Sequence, residues 1–307
     1  MIRTTLRATA MLAAGAFALA GCGGGDSDPL GGDTDTATAG GGGAVVVGSQ
    51  QYYSNEIIAE LYAQALEAGG YEVDRQFQIG QREVYIPELE SGAIDILPEY
   101  TGNLLQYYDK ETEATTAEEV VAALAEALPD GLRVLEPAEA TDQDSFNVTA
   151  EFAAEWSLVS LEDLVDVTVP LVVGANSEFE TRPYGPEGLR RVYGVEVTVL
   201  PIEDSGGPLT VKALQDGTVN IADIYSADPS IAANGFVTLE DPLALVLPQQ
   251  VIPLVSDRVD ADMEEILNAV SAELSTPELI ALNSRSVNEQ ASSAVIAADW
   301  LAEKGLL

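Results

Sequence analysis

The chain has 307 residues, of which 47% are hydrophobic and 6% aromatic, and this is enough apolar material for one large or two medium folded domains. Thirteen Lys and Arg stand against 51 Asp and Glu with no histidine, so the formal net charge is -38. A field of this sign repels phosphate backbones and anionic lipid headgroups. We therefore expect no nucleic-acid partner and interpret the acidity as a solvated surface.

The first 21 residues are typical of an export signal. Arg3 and Arg7 give it a positive start, and the apolar run from Ala8 to Ala20 is too short to span a bilayer comfortably. The following "LAGC" resembles a bacterial lipobox, in which the signal is cut before a cysteine that becomes lipidated. We expect Cys22, the only cysteine, to anchor the protein to the outer face of the bacterial cytoplasmic membrane.

Residues 22–43 have the composition of a flexible tether, because glycine and small polar side chains dominate them. The triplets DSD and DTD in this stretch lack the spacing of a calcium-binding loop, so we predict no metal site there. The folded body is expected to begin at Ala44.

From Ala44 onward, strand and helix patterns alternate. We predict strands at 44–48, 71–77 and 94–97, and helices at 55–68, 83–90 and 120–128. Ser54 is the expected N-cap of the first helix, and Thr116 with Glu119 forms a capping box ahead of the third. Leu104 and Leu105 are expected to start a further helix that packs inward. The alternation predicts an α/β fold.

Two stretches of the chain repeat each other. "LESGAIDILPEYTG" begins at Leu89 and "LQDGTVNIADIYSA" begins at Leu214, and the matched positions lie 125 residues apart. The pairs include Ile94 with Val219, Asp95 with Asn220, Tyr100 with Tyr225 and Thr101 with Ser226. The repeat predicts two lobes built on the same plan, each with a tyrosine just past the end of an equivalent strand.

The paired tyrosines predict a shared ligand site. In open α/β sheets ligands bind beyond the carboxyl ends of the strands, so two lobes facing each other across such ends form a cleft. Tyr100 and Tyr225 would then reach one ligand from opposite walls. The alternative is that each tyrosine only closes the core of its own lobe, with its hydroxyl turned to water.

Five stretches together carry a family resemblance: "GSQQYYSNEIIAELYAQALEAGGYEV", "GQREVYIPELESGAIDILPEYTGNLL", "SEFETRPYGPEGLRRVYGV", "DSGGPLTVKALQDGTVNIADIYSADPSI" and "WLAEKGLL". Residues 44–307 resemble the substrate-binding lipoproteins of ABC importers for osmoprotectants, the glycine betaine, carnitine and choline class. The resemblance implies a two-lobed type II periplasmic binding protein fold with its ligand cleft between the lobes. Lobe I is expected at 44–146 plus 249–307 and lobe II at 147–248, with crossings near Phe146 and Pro248.

The resemblance also implies which residues bind the solute. A trimethylammonium offers no hydrogen-bond donor, so it is held by aromatic faces within about 6 Å. The family's aromatic positions carry over onto Tyr52, Tyr100, Phe146 and Tyr225. A ligand carboxylate needs backbone N–H groups or hydroxyls at helix starts, and we expect Gly48, Ser49, Ser205 and Gly206 to supply them. Thr101, which follows directly on Tyr100, is also counted among the ligand-binding residues.

Gln249 and Arg82 need separate comment. Where some betaine binders have "PPYQAAP" this chain has "LPQQVIP", so Gln249 stands at the place of an aromatic side chain and we count it among the ligand-binding residues. A small solute with hydrogen-bonding groups, or a bulkier one, is therefore an alternative to betaine. Arg82 is either a clamp for a ligand carboxylate or, more commonly, a surface arginine paired with one of the many acids.

We predict a receptor that captures a quaternary ammonium solute and delivers it to a membrane permease whose transport a separate ATPase subunit drives. It needs no cofactor. An enzyme is not expected, since the usual triads and zinc sites need histidine or a free thiol, and one acid such as Glu99 near another is expected by chance. The alternatives are a surface lipoprotein that docks another protein through "NLLQYY", or a receptor for a different small polar solute.

Overall fold

The computed structural model describes residues 43–307, so the predicted signal peptide, Cys22 and the tether up to residue 42 lie outside the described residues. The described chain contains two five-stranded sheets. In chain order the strands are β1 Val45–Gly48, β2 Val73–Gln76, β3 Ile96–Tyr100, β4 Leu132–Val134, β5 Phe146–Val148, β6 Leu171–Ala175, β7 Val197–Pro201, β8 Ile221–Asp223, β9 Val237–Thr238 and β10 Val251–Ser256.

Helices alternate with these strands. They are α1 Tyr53–Ala68, α2 Arg82–Glu90, α3 Thr101–Tyr108, α4 Ala117–Ala127, α5 Ala150–Trp156, α6 Pro186–Tyr193, α7 Pro208–Gln215, α8 Ser230–Asn234, α9 Ala261–Glu273, α10 Thr276–Glu289 and α11 Ser293–Lys304. Two short 3₁₀ helices cover Leu161–Asp166 and Ser177–Thr181. No helix within residues 43–307 is long and apolar enough to cross a membrane.

The two sheets share one topology. Their strand orders are β2-β1-β3-β10-β4 and β7-β6-β8-β5-β9. In each, the first three strands are parallel, and the fourth pairs antiparallel with the third. The carboxyl ends of β1 and β3 therefore lie at one edge of the first sheet, and those of β6 and β8 lie at one edge of the second. Ligands bind at such edges in parallel sheets.

The internal repeat is confirmed by equivalent hydrogen bonds in the two sheets. The Asp95 side chain accepts a hydrogen bond from the Val46 amide at 2.9 Å, and its repeat partner Asn220 accepts one from the Val172 amide at 2.8 Å. In both cases a side chain just before the middle strand of the sheet, β3 or β8, holds the neighbouring strand, β1 or β6. The repeated sequence therefore encodes repeated structure, and each lobe is built around its own copy.

Strand β1 is buried on both faces, as its unbroken apolar run predicts. Val45 and Val47 face a core formed with α1 and the three C-terminal helices. Val46 faces a second core formed with α2, α3 and α4, which also holds Leu104 and Leu105 at 0% exposure. The prediction that these two leucines pack inward is confirmed.

Two local predictions are wrong. Ser54 lies inside α1 instead of capping it, because its hydroxyl donates to the Asp142 carboxylate at 2.9 Å, and Tyr52 occupies the N-cap position without a side-chain bond. Tyr100 is the last residue of β3 and does not lie beyond it, because pairing with Val251 of β10 extends the strand. The capping box of Thr116 and Glu119 on α4 is confirmed.

The chain passes between the sheets twice, once between β4 and β5 and once between β9 and β10. The two crossing segments run side by side, since Thr141 and Gln250 form a bridge. Phe146 opens β5 and so belongs to the second sheet, one residue before the predicted start of lobe II.

The first turn of α3 packs tightly on the returning crossing. A Cβ at Gly102 would lie 2.7 Å from both Leu247 Cβ and the Pro248 carbonyl oxygen, which is far inside normal contact. We predict that Gly102→Ala lowers the free energy of unfolding by about 1–3 kcal/mol, despite alanine's better helix propensity.

Urea unfolding followed by circular dichroism measures this loss. Gly43→Ala is the matched control, because nothing lies within 4 Å of a Cβ at Gly43, and it should change stability by less than about 0.5 kcal/mol. Equal midpoints for the two variants would contradict the packing argument.

Candidate ligand-binding cleft

A cleft lies between the two sheets, at the edge where the carboxyl ends of their parallel strands open. Its empty volume is about 530 Å³, solvent at the mouth included. The lining from the first-sheet side and the crossing consists of Gln50, Tyr52, Gln81, Arg82, Tyr100, Asn103, Asp142 and Asp144. The lining from the second-sheet side consists of Asn176, Glu178, Phe179, Arg182, Tyr184, Ser205, Gly206, Asp223 and Tyr225.

Three tyrosines from the two lobes meet in this cleft. The ring centroids of Tyr52 and Tyr225 lie 4.9 Å apart with the rings inclined at 61°. The rings of Tyr52 and Tyr100 are stacked, with centroids 6.4 Å apart. Tyr52 follows β1, Tyr100 ends β3 and Tyr225 follows β8, so strand ends of both sheets position them. The alternative of tyrosines closing separate cores does not describe this geometry.

Phe146 stands behind the cleft wall. It is 3% exposed, and its ring packs on Phe179 with centroids 5.9 Å apart. Phe179 in turn contacts Tyr184 at 6.1 Å, and these two rings line the cleft where Phe146 does not. The cause is local: β5 directs the Phe146 side chain into the core of the second lobe. Phe179 and Tyr184 are ring positions that the sequence reasoning missed.

Ser49 and Thr101 are also absent from the lining. The Ser49 hydroxyl donates to the Gln50 carbonyl at 3.0 Å and accepts from the Gln78 amide at 2.8 Å, so it fixes the loop after β1. The Thr101 hydroxyl donates to the Pro248 carbonyl at 2.9 Å and joins α3 to the returning crossing. Both hydroxyls position neighbouring backbone, and Gly48 likewise lies behind the wall.

Gln249 acts through a neighbour. Its side-chain oxygen accepts from the Asn103 amide at 2.9 Å, and its Nε2 donates to Asn103 Oδ1 at 2.7 Å. Asn103 lines the cleft, whereas Gln249 is fully buried and does not. Gln249 thus holds a lining side chain in place from behind.

Ser205 and Gly206 line the cleft as predicted. Ser205 has a positive φ of 54°, and its amide donates to Asn176 Oδ1 at 3.0 Å. Its hydroxyl accepts from Gln51 Nε2 at 3.1 Å. Because Gln51 belongs to the first lobe, this bond crosses the cleft.

Two further contacts join the lobes beside the cleft. The Tyr53 hydroxyl donates to Asp228 Oδ2 at 2.7 Å, and Arg182 forms a salt bridge to Glu83 at 2.8 Å. The two lobes are therefore in contact across the mouth of the cleft.

Arg82 is a buried arginine, and the expectation that it lies at the surface is wrong. Its Nε and Nη2 donate to the two Glu99 carboxylate oxygens at 2.9 and 2.8 Å, with Arg82 only 4% exposed and Glu99 fully buried. Burial alone lowers the pKa of Arg82, but the Glu99 charge offsets this and leaves the pKa raised. The part of the expectation that pairs it with an acid is confirmed.

Carboxyl groups dominate the polar side of the cleft. Asp142 accepts hydrogen bonds from the Ser54 hydroxyl and the Ala227 amide. Burial nevertheless raises the pKa of Asp142 to about 7. Burial, then the neighbouring Asp144 charge, raises the pKa of Asp223 well above its ordinary value. Asp142 therefore changes protonation near neutral pH, and Asp223 keeps its proton to a higher pH than an ordinary aspartic acid does.

The sequence reasoning missed these acids. Asp142 and Asp144 lie on the outgoing crossing, which has no helical or strand periodicity, and Asp223 matches Pro98 in the repeat, so neither pattern marks them. Within residues 43–307 no group of three or more His, Cys, Asp or Glu is placed to hold a metal ion.

Comparison with known proteins agrees with this architecture. A family model described as the substrate binding domain of ABC-type glycine betaine transport systems matches residues 43–303. The glycine betaine-binding protein YehZ of Escherichia coli (strain K12) is 28% identical over 275 residues, which cover 84% of this chain and 90% of that protein.

Solved structures show the same fold. A glycine betaine/carnitine/choline ABC transporter protein superposes with a TM-score of 0.69 at 22% identity, covering 85% of this chain and 99% of that one. A choline-binding protein of an ABC transporter, solved with choline, superposes with a TM-score of 0.61 at 15% identity, covering 85% and 89%. The fold is that of the type II periplasmic binding proteins. Proteins of the family whose model matches residues 43–303 bind substrate for a transporter and are not enzymes. The chain belongs to the substrate-binding domain family of ABC-type glycine betaine transport systems.

Proposed function

We propose that this protein captures a quaternary ammonium solute of the glycine betaine, choline or carnitine class outside the cytoplasmic membrane and delivers it to an ABC permease driven by a separate ATPase subunit. The observation that carries the proposal is the contact of Tyr52 with Tyr225 across the two lobes, with Tyr100 stacked beside them. The names of the relatives point to the same class of solute.

The chemistry of the cleft fits a cation without hydrogen-bond donors on nitrogen. Each aromatic face within about 6 Å of such a charge contributes about 0.5–2 kcal/mol. The rings lie in a cleft that also holds several carboxyl groups, and their negative field favours a positive solute over a neutral one. Binding between lobes that touch at the cleft mouth then couples capture to closure.

The proposal includes a lipid anchor at Cys22. The lipobox-like "LAGC" supports it, and the tether from residue 22 to 43 would leave the folded body free to meet a permease.

Calorimetric titration with choline and with 3,3-dimethylbutan-1-ol, its neutral carbon isostere, tests the proposal. The two ligands match in shape and hydroxyl group and differ in charge. We expect choline to bind at least thirtyfold tighter, since about 2 kcal/mol separates a desolvated cation–π contact from an apolar one. Equal affinities would contradict cation recognition.

The protein-docking alternative has little support in the structure. In the "NLLQYY" stretch Leu104 and Leu105 are fully buried, so the stretch does not present an exposed apolar patch. A receptor for another small polar solute is the remaining alternative. Binding of such a solute, with no binding of choline, carnitine or glycine betaine, would favour it.

A further inference from the structure

Two carboxyl groups line the same cleft, and one of their oxygens has no hydrogen-bond partner among residues 43–307. Asp223 ends β8 and Asp144 lies on the outgoing crossing, and they are 8% and 7% exposed. Asp144 Oδ2 accepts from Asn103 Nδ2 at 2.7 Å. Asp223 Oδ1 is buried and has no hydrogen-bond partner within residues 43–307. A buried acceptor without a donor is destabilising, so this oxygen is suited to a donor that arrives from outside.

A second unsatisfied group lies in the same cleft. Gln50 Nε2 is buried, and it too has no partner among the described residues. A hydroxyl both donates and accepts a hydrogen bond, so its chemistry matches one acceptor and one donor in a single cleft. A solute carboxylate only accepts, so it could pair with Gln50 Nε2 but would leave the Asp223 Oδ1 acceptor without a donor.

The arginines of the cleft are already paired. Arg82 donates through two nitrogens to Glu99, and Arg182 donates through Nη1 and Nη2 to Glu83. A solute carboxylate would therefore enter a cleft whose cations have carboxylate partners and whose lining also holds several acids. Like charges at short distance in a partly dry site repel strongly.

We propose that Asp144 and Asp223 form a subsite for the hydroxyl donor of a quaternary ammonium cation, whose binding displaces a proton that the two carboxyls share. This proposal rests on the proposed function and narrows it: the cleft selects a hydroxylated cation of the choline type over a carboxylated one such as glycine betaine.

A shared proton follows from the burial and charge of the pair. Both carboxyls are buried in the lining of one cleft, and burial, then the Asp144 charge, raises the pKa of Asp223 well above its ordinary value. The pair therefore holds one proton in the free protein. A cation with a donor stabilises the doubly ionised pair and lowers its pKa, which releases the proton to the buffer. Affinity for such a cation should therefore rise with pH, because Asp223 must lose its proton and its pKa is raised well above the ordinary value. Asp142, whose pKa burial raises to about 7, adds to this rise.

Other charged or titratable groups act on the pair from the surrounding elements. They are Asp142, Asp228, Glu178, Tyr184, Tyr225, Arg82 and Arg182. The two arginines oppose the effect, but each retains its own carboxylate partner. The balance of the cleft stays negative and favours proton release on cation binding.

Calorimetry on the full folded chain tests the proposal with choline, glycine betaine and tetramethylammonium. Titrations at pH 7 in phosphate and in Tris, whose heats of ionisation differ, give the number of protons released. We expect choline to bind at least tenfold tighter than glycine betaine and to release a measurable fraction of a proton. Asp223→Asn keeps the shape and the single negative charge of the pair, and it should abolish most of that release.

The same variant separates the subsite from the aromatic site. Asp223→Asn should weaken choline at least tenfold and tetramethylammonium, which has no donor, less than threefold. Asp216→Asn, an exposed acid of the same lobe paired with Lys212, is the matched control and should change neither. Tighter binding of glycine betaine, absence of proton release, or equal losses for both cations would overturn the subsite while leaving cation capture intact. If none of the cations binds, the proposed function fails and the subsite fails with it.

Discussion

Replacing Tyr225 with alanine is expected to weaken choline binding at least tenfold. The ring contacts Tyr52 of the opposite lobe at 4.9 Å, so its loss removes one aromatic face and the support of a second. One tenfold step corresponds to about 1.4 kcal/mol, which lies within the range of a single desolvated cation–π contact. Tyr100→Ala is expected to have a comparable effect, because its ring also stacks on Tyr52.

Calorimetric titration measures both affinities, and two controls make the result specific. Tyr225→Phe keeps the ring and should stay within about fivefold of the original affinity, since cation–π attraction needs the ring face and not the hydroxyl. Tyr71→Ala removes a tyrosine that packs on the first-lobe core away from the cleft lining, and it should leave affinity unchanged. Unchanged affinity in Tyr225→Ala and Tyr100→Ala, with both variants folded by circular dichroism, would disprove the aromatic site.

Glu99→Gln is expected to cost about 3–5 kcal/mol of unfolding free energy. Glu99 is fully buried and accepts four hydrogen bonds, two from Arg82, one from the Tyr85 hydroxyl and one from the Tyr100 amide. The substitution leaves the Arg82 charge buried without a counter-charge. Because the Tyr100 amide loses a charged acceptor, we also expect weaker solute binding.

Glu83→Gln is the matched control for this loss. It removes the same charge from a pair with Arg182, but the Glu83 side chain is 50% exposed. Exposed pairs contribute about 0–1 kcal/mol, so its cost in urea unfolding should be at least threefold smaller than that of Glu99→Gln. Similar losses of unfolding free energy in the two variants would show that the buried Arg82–Glu99 pair stabilises the protein no more than the exposed Arg182–Glu83 pair does.

Much of the fold could be predicted because the internal sequence repeat indicates two lobes with the same structure. The pair Asp95 and Asn220 performs the same hydrogen bonding in both sheets. Gly92 and Gly217 have positive φ angles of 76° and 70°, a conformation that glycine adopts without strain, ahead of the matched strands. Matched residues under matched constraints imply matched lobes, and they place a tyrosine near the same strand end in each.

The site was only partly predictable, because side-chain direction depends on tertiary context. Phe146 lies in the expected region, but strand β5 turns its ring into the core. Gln249 stands where the resemblance places a ring, yet its amide is used in two bonds to Asn103. A pattern that identifies a position does not specify which side of a crossing segment its side chain faces.

The acids of the cleft were not predictable for a different reason. The chain contains 51 Asp and Glu, so one more acid in an irregular segment gives no signal. Asp144 and Asp223 become distinctive only when folding buries both and brings them together. Burial and proximity are properties of the tertiary structure, and local sequence does not contain them.

The most direct test is a crystal structure of residues 43–307 grown with choline. The account predicts the quaternary nitrogen within about 6 Å of the Tyr100 and Tyr225 ring centroids, between the two sheets. Choline bound elsewhere, or choline bound in the cleft without contact to those two rings, would contradict the account.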